Sequence, residues 1–160
     1  MKYRIGYGFD VHQLEKGKPL YLGGIQIPSP HGAVGHSDAD VLIHAICDAL
    51  LGAACLGDIG IHFPNTSLEF KNIDSKILLS KVVDMLTENA YTIGNIDSTV
   101  ILESPKIMLH INDMRQCLSK VVGIAEDCIS IKATTNEKMG YVGRKEGISA
   151  HAIALIEKTR

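Results

Sequence analysis

Stretches with apolar residues at helical spacing alternate along the chain with short apolar stretches that read as strands, and this alternation points to helices packed on a sheet. A helix is expected over 38–55, with Leu42, Ile46, Ala49, Leu50 and Ala53 as its core stripe. Ser37 is expected to cap it, and Asp38 and Asp40 suit the positive end of its dipole. A second helix is expected over 75–88, capped by Asp74, with Leu78, Val82 and Leu86 one turn apart. A third is expected over 105–122. Pro105 suits its first position, Ile107, Ile111, Met114, Leu118 and Val121 form its apolar face, and Gly123 suits its stop.

Strands are expected at 4–11, 20–22, 25–27, 96–102, 129–134 and 148–157, with Gly23-Gly24 as a hairpin turn. Loops are expected at 28–32, 57–67 and 136–147. The fold class that follows is α+β: an α/β sandwich with a β-α-β-α-β-β core, its mixed sheet packed on helices, in a single domain over 1–160. Ala150, Ala152 and Ala154 share one side of the last strand. Small residues there admit close approach of another layer, a second subunit being one candidate.

Composition narrows the function classes. With 46% hydrophobic and 21% charged residues, the chain has the makeup of a globular domain. The 16 basic and 18 acidic groups leave a net charge of −2, which argues against a nucleic-acid or membrane-surface binder. Cys47, Cys55, Cys117 and Cys128 form no C-x-x-C pair and read as reduced thiols. The most apolar stretch, 45–60, is interrupted by Asp48 and Asp58. A cytoplasmic protein of bacterial type, without a targeting segment, is expected.

The chemistry-bearing residues fall in a few places. Asp10 and His12, two apart on a strand, project from one face. With His44 on the first helix they make a ligand set suited to a catalytic zinc, although D-x-H on a strand is common and a lone helix histidine is often just a satisfied polar group. Asp40 and Asp48 flank His44 at one-turn spacing and either can orient its imidazole. His36-Ser37-Asp38 is expected at a helix start, where backbone amides receive anions, and Ser104-Pro105-Lys106 at another. Lys132-Ala133-Thr134-Thr135-Asn136-Glu137-Lys138 gathers hydroxyls, a carboxylate and cations able to hold a diphosphate with magnesium, with Arg144 beyond it. For each of these stretches an ordinary cap or surface loop is the competing reading.

Taken together, Gly8-Phe9-Asp10-Val11-His12, His36-Ser37-Asp38-Ala39-Asp40, His44-Ala45, Gly57-Asp58-Ile59-Gly60, Phe63-Pro64, Ser104-Pro105-Lys106, Lys132-Ala133-Thr134-Thr135, Glu137-Lys138 and Gly143-Arg144-Lys145-Glu146-Gly147 resemble the family of 2-C-methyl-D-erythritol 2,4-cyclodiphosphate synthases over essentially the whole chain. The resemblance implies a lyase of the non-mevalonate route to isoprene precursors. Its substrate would be 4-diphosphocytidyl-2-C-methyl-D-erythritol 2-phosphate, its products the cyclic diphosphate and CMP. It implies Zn2+ on Asp10, His12 and His44, one per subunit, and Mg2+ or Mn2+ on Glu137 with the substrate diphosphate. His36 and Thr135 would stand beside the reacting phosphates. Ser37, Asp58, Ile59 and Gly60 would hold the methylerythritol phosphate, with Asp10, His12, Phe63 and Asn65 also touching substrate. Leu102, Ser104, Pro105, Lys106, Ile107 and Met108 would line the cytidine pocket, and Ala133, Thr134, Thr135, Tyr141 and Arg144 would complete the contacts. The family implies a homotrimer with active sites between subunits. Asn65, Asn136 and Tyr141 depart from its pattern, where Asp, Thr and Phe are frequent. A zinc phosphodiesterase or hydrolase, or a nucleotide-binding module without catalysis, remains an alternative reading of the same residues.

Overall fold

The computed structural model describes residues 1–64 and 66–159. In chain order its elements are β1 (Tyr3–Lys16), β2 (Leu20–Leu22), β3 (Ile25–Ile27), β4 (His31–Val34), α1 (Val41–Ala54), α2 (Ile59–His62), α3 (Ser75–Glu88), β5 (Tyr91–Ile101), α4 (Ile111–Val122), β6 (Ile129–Thr134), α5 (Gly140–Gly143) and β7 (Gly147–Lys158). Five strands form a sheet in the order β4-β1-β7-β5-β6, and β2 and β3 form a separate hairpin. β5 and β6 pair parallel and the other neighbours antiparallel, so the sheet is mixed, as expected. The hairpin turns through Gly23 and Gly24 at φ 59° and 82°, the left-handed conformations that a two-residue turn of this kind requires.

Helix α1 is the centre of the core. Leu42, Ile43, Ile46, Leu50 and Leu51 are fully buried, each worth about 1.5–3 kcal/mol relative to exposure. It is apolar nearly all round because the sheet lies beneath it and α3 beside it. Gly6 and Gly8 let it lie low on β1. A Cβ on Gly6 would stand 1.8 Å from the Ala49 carbonyl oxygen, and one on Gly8 1.9 Å from that of Ala45. Their partners across the ladder are Ala154 and Ala152, and Asp10 pairs with Ala150. All three alanines are buried on the face that α1 covers. The layer that the alanine stripe admits is therefore α1 of the same chain, not a second subunit.

The opposite face of the sheet is open. Tyr3, Ile5, Tyr7, Phe9 and Val11 alternate along β1 with the buried side, and Ile5 is 73% and Tyr7 61% exposed.

Several boundaries differ from expectation. β1 continues to Lys16 and pairs with β4, a strand in what reads as a Pro/Gly loop. β5 begins at Tyr91, ahead of a register shift between Ile93 and Asn95 that breaks its alternation. α1 begins at Val41 with Asp40, not Ser37, as its cap. α4 begins at Ile111 after a 3-10 turn, so Ser104-Pro105-Lys106 precedes the helix and offers no helix-terminal amides. The expected loops at 57–67 and 136–147 contain the single-turn helices α2 and α5.

Candidate metal centre and active site

Asp10 and His12 project from β1 toward α1, and the glycine floor brings α1 close enough for His44 to meet them. Asp10 Oδ2 is 2.8 Å from His12 Nε2 and 3.0 Å from His44 Nδ1, and the two nitrogens are 3.1 Å apart. Among the described residues, this is the group of His, Cys, Asp and Glu side chains whose donor atoms all lie within 4.8 Å of one another. Two imidazoles and a carboxylate converging on one point fit a divalent metal ion. His12 Nδ1 is 2.9 Å from the Val34 carbonyl oxygen. A carbonyl only accepts, so Nδ1 carries the proton and Nε2 presents its lone pair to the centre.

The electrostatics are those of a tight cluster. Burial pushes the Asp10 carboxyl up, but hydrogen bonds and charge from His12 and His44 outweigh it and hold the pKa at about 2. Burial pushes His12 down, and the hydrogen bond and charge of Asp10 more than offset it, so its pKa is raised.

The acidic neighbours of His44 on α1 do other work. Asp40 accepts from the Gly23, Gly24 and Ile43 amides, pinning the β2–β3 hairpin to the helix start. Asp48 accepts from Ile59 N at 2.9 Å. Neither orients the imidazole. Its outer nitrogen, Nε2, instead lies 3.1 Å from Ser37 Oγ and 3.0 Å from Ser75 Oγ. Ser75 escapes a sequence reading because it looks like an ordinary helix-start serine, 31 positions from its partner.

The triad opens into a cleft of about 200 Å³, lined also by Gly35, His36, Ser37, Ile59, Gly60, Phe63, Phe70, Ile73 and Leu78. His36 Nε2 is 3.0 Å from Ser67 O, and its carbonyl accepts from Asn72 N, which ties the cleft rim to the 67–72 segment. Asp58 caps α2 through Ile61 N, and with Asp48 it sets Ile59 and Gly60 at the cleft wall. Phe63 and Phe70 pack edge to face at 5.4 Å. Asn65 lies outside the described residues. A larger hollow of about 410 Å³, bordered by Lys18, Tyr21, Asp38, Asp74 and Lys76, shares only Gly35 and Ser37 with the cleft and contains none of the triad.

The predicted site residues on and after β5 and β6 are not brought to the triad. Asp10 pairs with Ala150, Ala150 with Val100 and Val100 with Ala133. Three strand spacings put Ala133 roughly 14 Å from Asp10, at the same end of the sheet. Leu102, Ser104, Pro105, Lys106, Ile107 and Met108 follow β5 at that end, and Thr134, Thr135 and Glu137 follow β6. Ala133, Thr134, Thr135 and Glu137 are exposed there, whereas Tyr141, also exposed, lies against Gly147, the cross-strand partner of Gln13 on β1. The Thr135 hydroxyl lies 3.5 Å from the Glu137 carboxylate, and Glu103 holds the turn by accepting from Asn136 N. Lys132 is paired with Asp97 and Arg144 with Glu146, so both cations have protein partners. Among the described residues no helix is long and apolar enough to cross a membrane.

Residues 3–157 match the YgbB family. A Bacteroides fragilis protein named 2-C-methyl-D-erythritol 2,4-cyclodiphosphate synthase is 59% identical over 158 residues, covering 99% of both chains. The Cytophaga hutchinsonii protein of that name is 56% identical with the same coverage. Among solved structures, the bifunctional IspDF from Campylobacter jejuni superposes with a TM-score of 0.95 at 40% identity, this chain spanning 43% of that longer one. An IspF from Plasmodium falciparum, in complex with CDP, superposes at 0.87 with 34% identity, covering 99% of this chain and 98% of that one. The chain therefore belongs to the YgbB family, in which its curated relatives carry the name 2-C-methyl-D-erythritol 2,4-cyclodiphosphate synthase.

Proposed function

We propose that this chain, as one domain over 1–160, converts 4-diphosphocytidyl-2-C-methyl-D-erythritol 2-phosphate into 2-C-methyl-D-erythritol 2,4-cyclodiphosphate and CMP, in the cytoplasm. The observation that carries the reading is the convergence of Asp10, His12 and His44 in a cleft walled by His36, Ser37 and the α2 backbone. The names of its relatives and the CDP complex of a structural neighbour support the substrate class.

In this reading the 2-phosphate oxygen attacks the β-phosphorus, the bond from that phosphorus to the α-phosphate oxygen breaks, and CMP leaves with the bonding pair. No water is consumed and no protein nucleophile is needed. Asp10, His12 and His44 would hold zinc, which would supply positive charge to offset that of the phosphates and polarise a phosphate oxygen. Ser37, Ile59 and Gly60 bind the methylerythritol phosphate part and His36 stands by the reacting phosphates. The residues after β5 receive the cytidine. Thr135 bounds the diphosphate, and Glu137, a hard oxygen donor, suits Mg2+ or Mn2+. Holding two phosphates in line within one molecule supplies much of the rate, roughly 7–11 kcal/mol in well-oriented intramolecular reactions.

The two halves of this site lie roughly 14 Å apart by strand spacing. A homotrimer with active sites between subunits joins the triad of one copy to the Thr135–Glu137 turn of the next. The exposed stripe Tyr3, Ile5, Tyr7, Phe9 and Val11 supports such assembly. Phosphorus NMR of the protein with the cytidyl substrate, zinc and magnesium tests the reading. Coupled resonances of a cyclic diphosphate with CMP are expected. An open-chain bisphosphate with CMP would make the protein a hydrolase, and zinc binding without turnover a nucleotide-binding module.

A further inference from the structure

The outer nitrogen of His44 faces two hydroxyls at nearly equal distance, Ser75 Oγ at 3.0 Å and Ser37 Oγ at 3.1 Å. Proton counting separates them. Ser75 Oγ donates its single proton to Asp38 Oδ1 in a short hydrogen bond. As a carboxylate Asp38 has no proton to give back, and it accepts on both oxygens: Ser75 N reaches Oδ2 at 3.0 Å, and Asp40 N reaches Oδ1 at 3.2 Å. Ser75 Oγ therefore has only lone pairs left, and His44 Nε2 must carry the hydrogen between them. Ser37 Oγ already accepts from Ala39 N at 3.2 Å, and its own proton stays free to turn into the cleft that it lines.

We propose that Asp38 and Ser75 are positioning residues that set the tautomer and ring orientation of His44. With hydrogen on Nε2, the Nδ1 lone pair points at Asp10 Oδ2 and His12 Nε2, where the metal of the proposed function would sit. Ser75 is fully buried at the first position of α3, while Asp38 borders the larger hollow that shares Gly35 and Ser37 with the cleft. The carboxylate so keeps contact with solvent at one end, and the buried hydroxyl transmits its pull to the imidazole. A carboxylate acting through a hydroxyl raises the basicity of the metal-facing nitrogen and narrows the ring's rotation. It also leaves the Ser37 proton available to a phosphate oxygen, so that two adjacent serines-in-space have separate tasks.

The inference rests on the metal reading, and the test separates the two. Chelator competition gives the zinc affinity of the full-length protein, and the visible spectrum of the cobalt-loaded form reports the geometry of the centre. Ser75→Ala keeps the backbone bond to Asp38 and removes only the hydroxyl. It should lower metal affinity about 10- to 100-fold and shift the cobalt bands. Asp38→Asn should do the same in the same direction, Ser75→Thr should restore both readouts toward wild type, and Ser37→Ala should leave affinity much closer to wild type. Unchanged affinity and spectrum in both Ser75→Ala and Asp38→Asn would overturn the proposal, as would a loss seen in Ser37→Ala but not in Ser75→Ala. Wild-type protein that binds neither zinc nor cobalt would overturn the metal reading and the relay with it.

Discussion

Gly8→Ala probes the contact on which the whole centre depends. The added Cβ would stand 1.9 Å from Ala45 O and 2.7 Å from Ala49 N, both backbone atoms of α1. Real Cβ contacts essentially never fall below 3.0 Å, so strand and helix must part by about 1.1 Å. No side chain can rotate away to absorb this, which places the cost near the upper end for overpacking, about 3 kcal/mol. With a urea slope of about 1–3 kcal/mol per M, the unfolding midpoint should fall by about 1–3 M. His44 precedes Ala45 on α1 and must move with it. Metal ligands tolerate about 0.2 Å, so the proposed zinc binding should fail even in folded variant protein. Urea unfolding followed by circular dichroism, and zinc content after dialysis, give the two readouts. A wild-type midpoint would refute the packing argument. A lowered midpoint with wild-type zinc affinity would refute the claim that the seat of α1 positions His44.

Gly52→Ala, within α1, is the converse case: its Cβ would meet only Tyr7 O of β1, at 4.0 Å, so it should stabilise by about 0.5–1 kcal/mol in thermal unfolding. Ile5→Glu, at a position 73% exposed on the open sheet face, should leave the protomer folded but prevent the proposed trimer, which light scattering reads directly; an oligomer of unchanged mass would remove this face from the interface. In metal-free protein the depressed pKa of Asp10 contributes stability that is present above 3.8 and is lost as pH falls from there toward 2. That loss is about 2 kcal/mol, and Asp10→Asn should abolish it in urea titrations at pH 5 and pH 2.5 with chelator present; an identical acid loss in the variant would refute the assignment.

Periodicity and turn chemistry made much of the secondary structure legible. The predicted helix over 75–88 and strand over 129–134 coincide with α3 and β6, and Gly23-Gly24 makes the turn expected of it. These features are local: a cap, a stripe or a turn acts within a few residues. Misreadings arose where a distant element overrides local preference. His31–Val34 becomes a strand because the polar end of β1 offers it an edge, and Ser37 yields the cap to Asp40, whose carboxylate also gathers the hairpin amides.

The candidate site divides the same way. Asp10 and His12 share a face by the two-residue period of a strand, and their residue types suit a metal, so the sequence alone nominates them together with His44. The distance between β1 and α1 is a different matter. It depends on Gly6 and Gly8 meeting carbonyl oxygens of Ala49 and Ala45, contacts that exist only once the helix lies on the sheet. The partner of the outer His44 nitrogen was likewise settled in three dimensions: the one-turn aspartates are drawn off to backbone amides, and the hydroxyls of Ser37 and Ser75 take their place. Local spacing determined which groups can share a face; packing of one backbone against another decided which of them touch.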